Sequence, residues 1–174
     1  MRFAPHRSRP PRLAVLGVGT VLVLGCGLRG DLEGSVYRDG AIAFRIGGLS
    51  DAWQRVQVAD GQLAFHHREG GTILAHATCE PDGDPSLEVL TRHLLIGVEE
   101  PRELSRAPLS LDGRRALRTR VDGRVDGVAV AFDLVVLKKD GCTYDLALAS
   151  APAQYSSRQN DFERFFQGFA RVSS

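Results

Sequence analysis

A basic and then apolar segment that ends at Cys26 decides how much of this chain is left to fold. Four arginines lie within the first twelve residues, and an uncharged, mostly apolar run of about 13 residues follows them. A helix needs about 20 such residues to cross the hydrocarbon core of a bilayer, so the run is too short for a permanent span. A positive start, a short apolar run and a small residue before the cut are typical of an export signal. Residues 1–25 are therefore predicted to be a signal peptide.

The residues around the cut resemble the signal of a bacterial lipoprotein. Val23 and Gly25 fit the lipoprotein pattern, whereas Leu24 is larger than usual at its position, and Cys26 follows directly. The resemblance implies that Cys26 begins the mature protein and carries fatty acyl chains such as palmitate. Each buried CH₂ group contributes about 0.8 kcal/mol, so several chains would anchor the protein durably in a membrane. A plain secretory signal and an uncleaved anchor are the alternatives.

The residues after Cys26 predict the location and the domain boundaries. Gly27 stands where an aspartate would indicate retention in the inner membrane. We therefore expect the outer membrane, with the protein on its periplasmic face; the inner membrane and the cell surface are the alternatives. Residues 26–34 are predicted to be a lipidated tether, and residues 35–174 a single domain.

The charge balance argues against one class of partner. The whole chain has 22 Lys and Arg against 21 Asp and Glu, but four of the arginines precede Cys26. The mature chain is therefore slightly acidic, whereas binding to nucleic acid requires a clustered basic face. We expect a membrane contact through the acyl chains and no nucleic-acid partner.

The number of cysteines is odd, and the signal explains why. If Cys26 takes lipid, Cys79 and Cys142 remain as a possible disulfide pair in an oxidising compartment. The bond would close a loop of about 64 residues and remove roughly 4 kcal/mol of unfolded-state entropy in the chain-entropy model. Two separate buried thiols are the alternative.

Turn signals and alternating patterns predict two early hairpins and a later meander. The hairpins are 35–38 with 41–46, and 63–67 with 72–79; the later strands are 116–121, 128–137 and 142–149. Glycines in the turns tolerate positive φ, which tight hairpins need. A polar connection with Pro101 and Pro108 is expected before the meander.

Apolar spacing predicts two helices. Four leucines recur on one face of a mid-chain helix, with Asp84 expected as its cap, Pro85 at its first position and Gly97 as its C-terminal stop. They are Leu87, Leu90, Leu94 and Leu95.

Near the end of the chain, four phenylalanines follow the spacing i, i+3, i+4, i+7 from Phe162. They predict an amphipathic helix whose aromatic face is core, capped by Ser156 or Ser157.

Antiparallel strands with helices set apart in sequence indicate an α+β fold, which we expect to contain one antiparallel sheet of about six strands, the mid-chain helix and the C-terminal Phe-rich helix. This order, with Phe44 followed by Trp53, resembles the Mog1/PsbP-like fold over roughly residues 35–172. The resemblance implies a non-catalytic binding or assembly factor. It transfers no binding residue to this chain.

Two groups of residues are of metal-ligand type, but their spacing favours neither zinc, copper nor calcium. His76 and Cys79 are three apart, so on one strand they point to opposite faces. The segment Asp82-Gly83-Asp84 with Glu88 lacks the longer ligand series of a calcium loop. We expect no metal and no cofactor. The residues considered for zinc or copper are His66, His67, His76, His93 and Cys79.

The sequence has no catalytic motif of the G-x-S-x-G, phosphate-loop, H-E-x-x-H, G-x-G-x-x-G or Cys-x-x-Cys type. Lys138 and Lys139 beside a turn would suit an anionic headgroup, with a solvated hairpin tip as the alternative. We expect no enzyme but an envelope lipoprotein whose periplasmic domain binds or helps assemble a protein partner. One alternative is a lipid or small-ligand binding accessory of an envelope transport system, which an apolar cavity would favour. The other is a hydrolase, which requires an acid/base pair in a cleft.

Overall fold

The computed structural model describes residues 30–57, 63–79 and 83–173. The predicted signal peptide, Cys26 and the first residues of the predicted tether lie outside this part of the chain. Within it, neither helix is long and apolar enough to span a bilayer.

The described residues form two antiparallel sheets. The first sheet has the order β1-β2-β3-β11, with β1 Asp31–Glu33, β2 Val36–Asp39, β3 Ile42–Arg45 and β11 Ala170–Arg171. The second has the order β4-β5-β6-β10-β9-β8-β7, with β4 Trp53–Val56, β5 Leu63–His67, β6 Thr72–Thr78, β7 Glu99–Leu111, β8 Arg114–Val125, β9 Val128–Lys139 and β10 Cys142–Ser150. Helix α1 is Leu87–His93, and a 3₁₀ turn, Pro152–Gln154, precedes helix α2, Tyr155–Gln167.

The predicted fold class, α+β with one sheet of about six strands, is wrong. The protein is mostly β: 55% of the described residues lie in strands and 17% in helices. Strand β7 accounts for much of the difference, because its sequence was expected to be a polar connection. It is an exposed edge strand, where Pro101 and Pro108 are tolerated since one side of the strand needs no ladder hydrogen bonds.

The sheet also begins earlier than expected. Strand β1 lies within the predicted tether 26–34 and pairs with β2, Leu32 lying opposite Tyr37. Gly30 accepts a hydrogen bond from the Arg55 side chain, Nη2 to O 3.0 Å. The chain is therefore packed against the domain from Gly30 onward.

Both predicted helices are present, but their predicted caps are wrong. Ser86 caps α1, its Oγ accepting from the Val89 N–H at 3.3 Å. Asp84 instead accepts from Lys138. At α2 the 3₁₀ turn runs straight into the helix without a side-chain cap, and the Ser157 hydroxyl donates to the Gln154 carbonyl at 2.8 Å.

The phenylalanine spacing predicts one helix that reaches Phe169, but α2 ends at Gln167, so Phe162, Phe165 and Phe166 lie on the helix and Phe169 follows it. Together these four side chains cover one face of the seven-stranded sheet. Phe162, Phe165, Phe166 and Phe169 are all at most 3% exposed. Their rings meet aromatic side chains of both sheets: Phe165 lies 6.2 Å from Phe65, and Phe169 lies 5.9 Å from Phe44. This face is a filled core.

Candidate functional site

The two faces of the seven-stranded sheet are covered unequally. Residues directly opposite each other in an antiparallel ladder share a face. Leu146 of β10 lies opposite Ala75 and Val135 on the face that α2 covers, which we call the covered face. The next residue, Ala147, lies opposite Leu74 and Leu134 on the other side, which we call the open face.

A trough runs along β6 and β10 on the open face. Its floor consists of four cross-strand pairs, which are Thr143–Thr78, Asp145–His76, Ala147–Leu74 and Ala149–Thr72. Side chains two residues apart share a face and strands rise about 3.4 Å per residue, so the trough is roughly 20 Å long. It is polar at the Thr143 end and apolar at the Ala149 end.

Helix α1 forms one wall of the trough. The helix packs over β9 and β8. Its C-cap residue Leu94 lines both the polar and the apolar section of the trough. The polar section has a volume of about 750 Å³ and the apolar section about 520 Å³. Leu94 and Asp145 border both sections, so the two adjoin each other.

The apolar section is shaped by small floor residues between larger ones. Ala147 and Ala149 keep the floor low, while Leu74, Phe132 and Leu134 stand around them. The other lining residues are Ala64, Thr72, His76, Leu94 and Asp145. A pocket of a few hundred Å³, mostly apolar with a few polar groups, is typical of a small-ligand site.

In the polar section the lysines and the arginine have acidic partners. Lys138 donates to the carboxylate of Asp84 and to the carbonyl of Pro85, the latter at 2.7 Å. Lys138, one of the two lysines expected to attract an anionic headgroup, therefore already has acceptors within the protein. The other two pairs are Lys139–Asp112, N···O 2.7 Å, and Arg114–Asp140, 3.9 Å.

The ion pair between Lys139 and Asp112 is strongly held. Burial alone would raise the pKa of its carboxyl, but hydrogen bonds from Lys139 and from the Arg171 backbone N–H outweigh burial and lower the pKa. The carboxylate therefore stays ionised and keeps Lys139 engaged at neutral pH.

Asp145 stands at the junction of the two sections with a weaker partner. Its nearest basic group is His76, Nδ1 to Oδ2 3.9 Å, and its side chain is 14% exposed. Its Oδ1 is buried and has no hydrogen-bond partner among the described residues. The same His76 nitrogen lies 3.5 Å from the Thr78 hydroxyl.

The residues of metal-ligand type are dispersed. His67 is buried against Trp53, ring centroids 5.0 Å apart, and accepts from the Glu69 N–H. His93 lines the polar section, while His76 lies with Asp145. In residues 30–57, 63–79 and 83–173, no three His, Cys, Asp or Glu side chains are grouped to hold an ion.

The acids considered as calcium ligands have different roles where the structure describes them. Asp82 lies outside the described residues. Asp84 is 90% exposed in its ion pair with Lys138, and Glu88 lies in the first turn of α1.

Cys79 and Cys142 are joined at the polar end of the trough. Their sulfurs are 2.03 Å apart, and both residues line the polar section. The bond connects the end of β6 to the start of β10, the two strands that form the trough floor.

The sequence contained a signal for the trough that the strand pattern alone does not reveal. In β10 the large residues Tyr144, Leu146 and Leu148 occupy one face, and Ala147 and Ala149 lie on the other. The small side chains of Ala147 and Ala149 leave space above the open face of this central strand.

Comparison with known proteins supports the fold. No protein-family model matches the chain, and no curated protein matches it. The solved structures similar to it include cyanobacterial PsbP (CyanoP) from Synechocystis sp., with a TM-score of 0.58 and 13% identity over 85% of this chain and 96% of that one. At this identity the likeness shows a PsbP-like fold, as the sequence resemblance predicts, and not a function.

Two further similar structures come from other bacteria. One is LpqN, which is involved in cell envelope biogenesis of Mycobacterium tuberculosis, with a TM-score of 0.55 and 13% identity over 75% of this chain and 85% of that one. The other is a Pseudomonas aeruginosa protein of unknown function, with a TM-score of 0.52 and 12% identity over 80% of this chain and 97% of that one.

Proposed function

We propose that this chain is a non-catalytic envelope lipoprotein whose domain binds an apolar ligand in the trough. The observation that carries the proposal is the apolar section of about 520 Å³ on the open face. Apolar side chains of a central strand are normally covered, and an uncovered group of them marks a binding surface. The proposal places a small-ligand role ahead of the protein-partner role that the sequence favours.

His76, Thr78 and Asp145 form a polar group on the trough floor. The Thr78 hydroxyl and Asp145 carboxylate lie 3.5 Å and 3.9 Å from the same ring nitrogen, Nδ1. This arrangement suits a polar pair that orients a ligand.

The envelope location rests on the sequence before the domain and on one structural relative. The lipoprotein signal ends at Cys26, and the similar protein LpqN takes part in envelope biogenesis. We place the domain at the periplasmic face of the outer membrane, an oxidising compartment in which Cys79 and Cys142 form their bond.

Fractionation of cells tests the anchor. Cys26→Ser is expected to move the protein from the membrane to the soluble fraction, and unchanged membrane association would reject lipidation.

Mass analysis of the exported protein after thiol alkylation, without reduction, tests the disulfide bond between Cys79 and Cys142. Alkylation of these two cysteines would reject the bond.

A cleft-filling substitution tests the trough. Ala147→Trp on the trough floor is expected to weaken binding of the apolar fluorescent probe N-phenyl-1-naphthylamine at least tenfold, because the indole occupies the apolar section. Ala129→Trp is the matched control, since Ala129 is exposed near the β8–β9 hairpin tip and does not line the trough. Equal probe binding by both variants and the wild type would reject the trough as the site.

A second candidate function, binding of a protein partner, has its own observation. Large apolar side chains are exposed at the β8–β9 tip and around the start of β7, and Val128 is 65% exposed. The others are Ile96, Leu104 and Val125. Val128→Glu is expected to abolish crosslinking to a specific partner in cells while leaving probe binding intact; crosslinking that survives it would reject this surface.

A further inference from the structure

The two sections of the trough differ in a way that specifies its ligand. We infer that the trough binds an amphiphile with a cationic, hydrogen-bond-donating head group, whose ammonium lies against Asp145 and whose apolar chain lies toward Ala149. This inference rests on the proposed function and adds the ligand class to it.

The first step is the balance of charge in the polar section. Each lysine and arginine that lines it has an acid as partner, as described above: Lys138, Lys139 and Arg114. Asp145 is the acid that remains. Among the described residues it has no lysine or arginine within ion-pair distance, only His76 at 3.9 Å.

Second, the lack of a donor at the Asp145 carboxylate has an energetic cost. A buried carboxylate oxygen without a donor is unfavourable, because it loses its hydrogen bonds to water and gains none in return. Asp145 Oδ1 is such an oxygen. A ligand ammonium beside this carboxylate would supply the missing charge and, through modest rotation of the side chain, the missing N–H donors.

The third step is the position of Asp145 relative to the apolar section. It borders both sections, and Ala149 lies four residues further along β10, roughly 14 Å away at the usual rise per residue. A chain that starts at Asp145 and follows the floor past Ala147 meets Leu74, Phe132 and Leu134. Polar and apolar contacts therefore have the order of an amphiphile.

An anionic head group fits this end less well. A carboxylate or phosphate at the same position would face Asp145 directly, and like charges in a partly buried site repel each other. Lys138, which lies opposite Thr143 on the same face, already donates to Asp84 and to the Pro85 carbonyl. The charges of the trough thus favour a cation.

Titration calorimetry with three chain-matched probes tests the inference. The full chain carrying Cys26→Ser, which has no acyl chains, is titrated with dodecylamine, dodecanol and dodecanoate below their aggregation concentrations. We expect dodecylamine to bind at least tenfold more tightly than dodecanoate, with dodecanol between them. Dodecanoate binding as tightly as dodecylamine would overturn the inference, even without any variant.

Two isosteric variants locate the charge. Asp145→Asn is expected to remove the tenfold advantage of dodecylamine and to leave dodecanol binding unchanged. Asp126→Asn, in the β8–β9 turn at φ 50°, is the matched control and should bind like the wild type. An undiminished preference for the amine in Asp145→Asn would overturn the role of Asp145.

The same titrations separate this inference from the proposed function. If all three probes bind equally and Ala147→Trp weakens all of them, the trough binds apolar chains and only the head-group assignment fails. If none of the probes binds, or Ala147→Trp has no effect on any of them, the proposed function fails as well.

Discussion

The two faces of the seven-stranded sheet contain similar apolar side chains but receive different cover. On the covered face, α2 and Phe169 just after it place four phenylalanines over the strands, and the four-stranded sheet adds Tyr37 and Phe44 to the same core. On the open face, α1 has only seven residues and leaves the trough beside it.

Strand β9 shows the contrast within one element. Its covered-face residues Val135 and Leu137 are fully buried. On its open face Val136 is also buried, but Val130 and Phe132 are half-buried, whereas Ala131 between them on the covered face is only 3% exposed. Apolar composition alone therefore does not reveal a core; the covering element decides whether a face is core or binding surface.

Two aspartates, one on each face, repeat the contrast for charge. Asp133 on the covered face is fully buried and receives two hydrogen bonds from Arg118, at 2.9 and 2.7 Å, and one from Tyr155 at 2.7 Å. Among the described residues, Asp145 on the open face has only His76 within ion-pair distance, at 3.9 Å. The fold satisfies the first carboxylate by itself, and we propose that a ligand satisfies the second.

The largest expected effect is on the covered face. Phe162→Ala removes a fully buried ring from α2 and is expected to lower the free energy of unfolding by about 3–5 kcal/mol, because the packed face cannot close the cavity. Urea unfolding followed by circular dichroism measures the change.

The matched control is on the open face. Leu94→Ala removes a side chain that is 36% exposed at the trough wall and should cost about 1 kcal/mol or less. Equal losses in the two variants would contradict the claim that the two faces are packed differently.

The next effect concerns the satisfied aspartate. Arg118→Met leaves Asp133 buried without its cation, which is expected to cost about 3 kcal/mol in the free energy of unfolding. The double variant Arg118→Met/Asp133→Leu should recover most of that loss, because no charge is then left buried. A double variant less stable than Arg118→Met would show that the carboxylate has a further structural role.

The third effect is a pH dependence that arises on the covered face. Burial, the hydrogen bond to Asp133 and the charge of that carboxylate raise the pKa of Tyr155 to about 12. The ordinary value is about 10, so the folded state holds this proton more tightly than the unfolded chain. Its contribution to stability is complete below about pH 10 and is lost as the pH rises through 12.

Tyr155→Phe should therefore reduce the fall in unfolding free energy between pH 8 and pH 11.5 by about 2 kcal/mol. Urea unfolding at both pH values measures it. Part of the fall should remain in the variant, because burial and Asp39 also raise the pKa of Tyr37 to about 12. An identical fall in variant and wild type would contradict the assignment to Tyr155.

The sequence predicts most of the covered face because local patterns encode it. The phenylalanine spacing from Phe162 to Phe169, the alternation in β10 and the turn at Asp140-Gly141 each act within a few residues. Strand β7 was missed because it is an exposed edge strand without apolar alternation, and its prolines resemble a connection.

The trough was missed for a different reason. Asp145 and His76 are 69 positions apart and come together only through the register of β6 and β10. In the sequence, Asp145 has the pattern of a solvent-facing residue on a half-buried strand. The length of α1, which leaves that face uncovered, depends on tertiary packing rather than on its leucines.

The smallest expected effect tests whether the open face is also the less stable one. Helix α1 is too short to be stable by itself, so its packing and its Ser86 cap hold it in place. Ser86→Ala removes the acceptor for the Val89 N–H and is expected to cost about 1 kcal/mol, or about fivefold faster amide hydrogen exchange in α1. Ser86→Asp, which keeps an acceptor and adds a favourable charge at the N-terminus of α1, should retain slow exchange.

If α1 opens locally, the amides of α2 will exchange at the wild-type rate in Ser86→Ala. Equal acceleration in both helices would mean that the trough wall unfolds only with the whole domain, and a ligand would then enter a rigid cleft.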